Sequence, residues 1–114
     1  LSHSGGTLPF LAHRVSIFDK STTFQDNYPH GALAYIKRFW FDTALSGDAI
    51  PLAGLSAVAD QSRILFGTDY PYVSPHVVTG ESRSFDAWDG FTDAQRAAVN
   101  RGNAETLFPR FAAI

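Results

Sequence analysis

Three ionisable side chains stand where two apolar runs and a leading stub of this 114-residue chain stop. Asp42 ends Phe39-Trp40-Phe41, Asp69 follows Ile64-Leu65-Phe66 across Gly67-Thr68, and His3 follows Leu1-Ser2. An imidazole and two carboxylates are group types that hold divalent cations and carry protons. If the runs are neighbouring parallel strands, all three groups project from one end of the sheet, the end that bears the catalytic groups of an α/β barrel. A plainer reading stands beside this one, because loops leaving strands commonly carry Asp as a turn or cap residue. Ser4-Gly5-Gly6 after His3 lets a ligand approach the backbone closely, and Thr68 with Tyr70-Pro71 sets Asp69 on a turn.

Other chemistries lack their residues. With no cysteine there is no disulfide framework, thiolate metal site or cysteine nucleophile. No serine lies in a G-x-S-x-G elbow. Gly5-Gly6 precedes a helix, but no Walker lysine and no G-x-G-x-x-G pattern accompany it. Nine Lys+Arg against eleven Asp+Glu leave no basic field for nucleic acid and no polybasic patch for a membrane. No apolar run approaches the roughly 20 residues of a membrane span. His13 is expected on a helix surface, and His30 and His76 in loops. The clusters Phe39, Trp40, Phe41 and Tyr70, Tyr72 are expected to pack, leaving Trp88 as the aromatic side chain expected at a ligand.

The elements that would position these groups follow from periodicity. Leu8, Leu11, Val15 and Phe18 recur at spacings of three and four, predicting an amphipathic helix with Thr7 as N-cap and Pro9 in its first turn. Residues 21–30 are polar and turn-rich, predicting a loop, and 32–38 a short helix or turn. Pro51 can open a helix carrying Leu52, Leu55, Val58 and Ala59. Residues 72–90 are expected to be irregular, broken by Pro75, Gly80 and Gly90. Thr92 with Gln95 makes a capping box for a helix to about Asn100, ended by Gly102. Asn103 is expected to cap a last short helix through 107–108, stopped by Pro109. Runs that are apolar on both faces belong in parallel sheets covered by helices, so the class is α/β, with about three strands counting a stub at 1–3. The length allows one domain at most. Three parallel strands leave two bare edges. With no methionine and Leu1 as first residue, a truncated or processed chain is expected.

Four segments resemble one family. Residues 1–14, LSHSGGTLPFLAHR, resemble the H-x-G-G-x-x-P-F-x-x-x-R segment of the amidohydrolase-2 superfamily, in the branch of aminocarboxymuconate-semialdehyde decarboxylase-like enzymes that includes 6-methylsalicylate and γ-resorcylate decarboxylases. FWFDTALS at 39–46 resembles its aromatic-x-D-T/S strand, ILFGTDYP at 64–71 its I-L-F-G-[TS]-D-[YF]-P signature, and GNAETLFP at 102–109 its G-N-A-x-x-L-F ending. The resemblance implies the C-terminal part, about three βα units, of a metal-dependent (β/α)8 barrel, with the N-terminal part absent. His3 would end the sixth strand, Asp42 follow the seventh and Asp69 end the eighth. It further implies His3 as the catalytic histidine beside the metal and Asp69 as the metal-binding carboxylate, credited also with proton transfer. Asp42 and Trp88 are the candidates for substrate contact. The expected cofactor is a divalent metal, Zn2+ before Mn2+, and the expected substrate a small carboxylic acid, in the cytoplasm. The H-x-H or E-x-H pair of the first strand and the histidine of the fifth do not occur here. Non-oxidative decarboxylation is the expected reaction, with hydrolysis of a lactone or amide as the rival. A silent chain, stable only as a homo-oligomer or with the missing barrel portion, is the alternative of another class.

Overall fold

The computed structural model describes residues 1–112. Two short strands lie parallel at its centre: β1 (Phe41–Asp42) and β2 (Ile64–Leu65), with Phe41 opposite Ile64 and Asp42 opposite Leu65. Leu1 continues the sheet on the other side of β1. Its amino group donates to the Trp40 carbonyl at 2.6 Å, and its carbonyl accepts the Asp42 N–H at 3.2 Å. That alternation is a parallel ladder, so the order is Leu1, β1, β2, and the strands are parallel as expected.

Helices cover the strands. They are α1 (Leu8–Ser16), α2 (Thr22–Asn27), α3 (Ala32–Ile36), α4 (Ala49–Val58), α5 (Pro75–Ala87), α6 (Asp93–Ala97) and α7 (Asn103–Leu107). Helix α4 begins where Asp48 accepts the Ile50 N–H, and it buries Leu52, Leu55 and Val58. These side chains meet Phe41, Ile64, Phe85 and Val99 in the core. Phe85 anchors α5 there, edge-on to Phe66 with ring centroids 5.4 Å apart. At the N-terminal end of the strands, Arg63 Nη1 donates to the Arg38 carbonyl at 2.8 Å, with the guanidinium 5.2 Å from the Trp40 ring centroid. This link ties the segments entering β1 and β2 to one another.

Several boundaries differ from those expected. Residues 72–90 are not irregular: Ser74 accepts the Val77 N–H and Pro75 stands at N1, so the supposed breaker is a helix-start signal. Gly80 is tolerated on the exposed side of α5. Thr7 has helical φ/ψ and caps nothing with its side chain. Helix α1 ends at Ser16, and residues 17–20 form a 3-10 turn. One helical stretch, α2, lies inside the expected loop at 21–30. The Thr92–Gln95 capping box forms as expected, with Gln95 N donating to Thr92 Oγ1 at 3.2 Å and Thr92 N to Gln95 Oε1 at 2.8 Å. Gly102 does not stop that helix. The chain passes through a π-helical segment, Ala98–Gly102, directly into α7. Asn103 therefore caps nothing; its buried amide donates to the carbonyls of Gln61 (2.9 Å) and Ile64 (2.8 Å), fastening α7 to the entry of β2.

Candidate active site

The strand ends hold the unusual backbone. Among the described residues, the non-glycine residues with positive φ are His3 (53°), Ser4 (55°), Leu45 (49°) and Asp69 (63°), and all lie just beyond the sheet. Such conformations cost about 1–3 kcal/mol each and concentrate at functional sites. Gly5 continues the turn at φ 78°, and a Cβ there would meet the Phe41 ring at 3.0 Å. Only glycine fits both demands.

His3 is held from two sides. Its main-chain N–H donates to Asp42 Oδ1 at 3.0 Å, and its ring Nδ1 lies 2.9 Å from the Ala44 carbonyl oxygen. A carbonyl oxygen only accepts, so Nδ1 carries the proton in this bond. In the neutral ring Nε2 is then the basic nitrogen, and in the imidazolium Nε2–H is the donor left free. Asp42 Oδ1 also accepts the Ala44 N–H at 3.0 Å. The carboxylate expected at a substrate is thus engaged with the peptide backbone on both sides of the loop.

Asp69 leaves β2 at the same end, half-buried, on its left-handed turn. Thr43 braces that end: its Oγ1 accepts the Gly67 N–H at 3.2 Å and lies 3.4 Å from the Gly67 carbonyl. A cavity of about 380 Å3 opens beside His3, walled by Ser4, Pro9, Phe10, Ile50 and Gly54. Ser4 Oγ is buried next to it without a hydrogen-bond partner. Sequence reasoning gave no role to Thr43 or Ala44, although both stand inside the FWFDTALS segment.

Trp88 is elsewhere. It packs edge-on against Phe91, with centroids 4.6 Å apart, its carbonyl accepts from Arg96 Nη2, and it lines a separate depression with Asp48 and Ser84. The aromatic side chain expected at a ligand thus stands against Phe91 and lines that depression, and it is not among the residues that wall the cavity beside His3. His13, His30 and His76 are exposed and take no part in the His3 cavity.

The donor types at the strand ends suit a divalent cation, but their number does not. Among the described residues no three His, Asp or Glu side chains come together to hold a metal, whereas catalytic sites ordinarily supply three protein ligands.

Comparison with known proteins places this geometry. The family model described as amidohydrolase matches residues 1–110. The 6-methylsalicylic acid decarboxylase of Penicillium expansum is 31% identical over 115 residues, covering 100% of this chain and 35% of its own length. The crystal structure of 2,6-dihydroxybenzoate decarboxylase from Rhizobium superposes with a TM-score of 0.76 at 26% identity, over 96% of this chain and 34% of that one. A 5-carboxyvanillate decarboxylase of Novosphingobium aromaticivorans, complexed with manganese, gives a TM-score of 0.76 at 21% identity, over 95% and 32% of the two chains. The chain spans about a third of the length of the curated relatives it matches. Its strand–helix succession is that of part of a (β/α)8 barrel, and with the model matched over nearly every residue, the chain belongs to the amidohydrolase family.

Proposed function

We propose that this chain forms the C-terminal strand-end face of a metal-dependent decarboxylase, with His3 as proton donor and Asp69 as the metal-binding carboxylate. The observation that carries the reading is the His3 ring, fixed through Nδ1 to the Ala44 carbonyl so that Nε2 is the nitrogen left for proton transfer. The two relatives named for benzoic acids, from Penicillium and Rhizobium, point to an aromatic acid with an ortho hydroxyl as the substrate class. In that reaction the bond from ring carbon to carboxylate breaks and its electron pair stays on the carbon. His3 Nε2–H supplies the proton that replaces the carboxylate, and CO2 leaves. A divalent cation, when bound, holds and polarises the substrate carboxylate and its neighbouring oxygen. Manganese accompanies the Novosphingobium enzyme, and zinc suits the same imidazole and carboxylate donors. Its other ligands come from barrel residues outside this chain, since the described residues do not complete a site. His3 is the easier proton source than Asp69, because a bound cation holds a carboxylate in its ionised form.

The test is CO2 release from 6-methylsalicylate and 2,6-dihydroxybenzoate by the full-length protein. Asp69→Ala is expected to lose both activity and metal. His3→Gln is expected to keep the metal and lose about 100-fold or more in kcat. Unchanged turnover and metal content in Asp69→Ala overturns the assignment. Hydrolysis of a lactone or amide with no CO2 released from either acid establishes the water-activating reading instead.

A further inference from the structure

We propose that Asp42 is a positioning residue for His3, acting through the two peptide units that fix the histidine's main chain and ring, and that it touches neither substrate nor metal. The proposal rests on the reading of His3 as proton donor. One oxygen, Asp42 Oδ1, accepts from both the His3 N–H and the Ala44 N–H, each at 3.0 Å, and the Ala44 carbonyl in turn receives the His3 ring at 2.9 Å. The three bonds make a closed link from carboxylate to main chain, from carboxylate to amide, and from carbonyl to imidazole.

The backbone explains why such a clamp is needed. The ladder between Leu1 and β1 ends at the Asp42 N–H, so the next strand-facing donor, His3 N–H, has lost its strand partner. His3 and Ser4 then take left-handed φ, which persists only where surrounding contacts over-determine it. The Asp42 carboxylate satisfies that amide and holds the turn. Its stem is walled in by the chain leaving β2: a Cβ at Gly67 would stand 3.3 Å from Asp42 Cβ and 3.5 Å from Ala44 Cβ. Thr43 pins Gly67 to this wall by its hydroxyl, so the segment after β2, two residues before Asp69, is seated against the same clamp. Asp42 Oδ1, already serving two amides, is a poor candidate for a cation.

Geometry and charge are separable at this position. Asp42→Asn keeps an Oδ1 acceptor and loses the charge; Asp42→Glu keeps the charge and displaces the oxygens by one methylene. In the full-length enzyme, Asp42→Glu and Asp42→Ala are expected to lower kcat about 10- to 100-fold with KM within about threefold, the usual penalty for a misplaced catalytic group. Asp42→Asn is expected to stay within about fivefold of wild type with its metal content intact, since only the acceptor is needed. In a His3→Gln background the further loss from Asp42→Glu is expected to vanish, because residues acting as one unit are not additive. The reverse order of the Asn and Glu variants, metal loss in Asp42→Asn, a raised KM at unchanged kcat, or an undiminished loss in the His3→Gln background each overturns the proposal. If His3→Gln itself keeps full activity, the reading of His3 has failed, and the clamp is then judged by 15N chemical shifts of the His3 ring. A single Nδ1–H tautomer in wild type and Asp42→Asn, mixed in Asp42→Glu, supports the clamp; identical ring shifts in all three overturn it.

Discussion

Left-handed residues at His3, Ser4, Leu45 and Asp69 show where this chain accepts backbone cost, and the hydrogen bonds beside them show what offsets it. A short acidic side chain is the usual device: Asp42 binds two amides at the C-terminal end of the strands, and Asp60 does similar work at the other end. Asp60 Oδ1 accepts Ser62 N–H at 3.0 Å and Ser62 Oγ–H at 2.7 Å. These bonds, side chain first and backbone second, with Arg63 and Lys37 nearby, hold the Asp60 carboxyl below its ordinary pKa of 3.8. A carboxyl with a lowered folded-state pKa stabilises above its unfolded value, and the contribution is lost as pH falls through the folded one. In the full-length protein, Asp60→Ala is therefore expected to cost about 1 kcal/mol near neutrality. The difference from wild type should close below pH 3.8, measured by urea melts across pH. An unchanging difference down to pH 2 would contradict this account.

At the scale of elements, the joints between helices and strands carry the specificity. The α6–α7 stretch stays helical through Gly102 because the π segment Ala98–Gly102 re-aims the Val99 carbonyl to accept the Phe66 N–H at 2.9 Å, so a helix carbonyl covers that edge of β2. One turn on, Asn103 donates to two carbonyls of the segment entering β2. Replacing Asn103 by Leu fills similar space but leaves those buried carbonyls unpaired, at about 1–3 kcal/mol for each buried group. Urea denaturation of the full-length Asn103→Leu protein is expected to show a loss of about 2 kcal/mol or more, with kcat little changed, because Asn103 lies at the end of β2 away from Asp69. Stability equal to wild type would mean that α7 is held by its apolar contacts instead.

For the molecule as a whole, the described chain is more extended than its length requires. Its radius of gyration is 15.5 Å and its extents 48 × 31 × 28 Å, against about 13 Å for a compact domain of this size. The sheet has strand stubs one or two residues long, too little to be stable alone. Large apolar side chains face outwards, Phe10 at 89% and Ile50 at 83% exposure among them, in the way interaction surfaces do. These features suit a segment that completes its core against further chain. The isolated 114 residues are accordingly expected to elute as an assembly rather than a monomer, and to carry no stoichiometric zinc or manganese. Full-length protein is expected to carry it. Size-exclusion chromatography with metal analysis decides: a monomeric isolated chain with one bound cation would contradict both expectations.

The α/β class, the parallel direction of the strands and the common end at which His3, Asp42 and Asp69 emerge were legible in the amino-acid order, because unalternating apolar runs and their polar stops are local signals. Capping was legible where both partners lie within one turn, as at Thr92 and Gln95, and misread where one residue type serves two ends, as Pro75 does. What the order of residues left open was which partner each polar group takes across the fold. Asp42 and His3 are 39 residues apart, and Asn103 stands 39 and 42 residues from the carbonyls it binds. Trp88 joins an aromatic stack under α5. Those pairings depend on how strand ends and helices are juxtaposed in space, and only tertiary packing brought the Asp42 carboxylate onto the His3 and Ala44 amides.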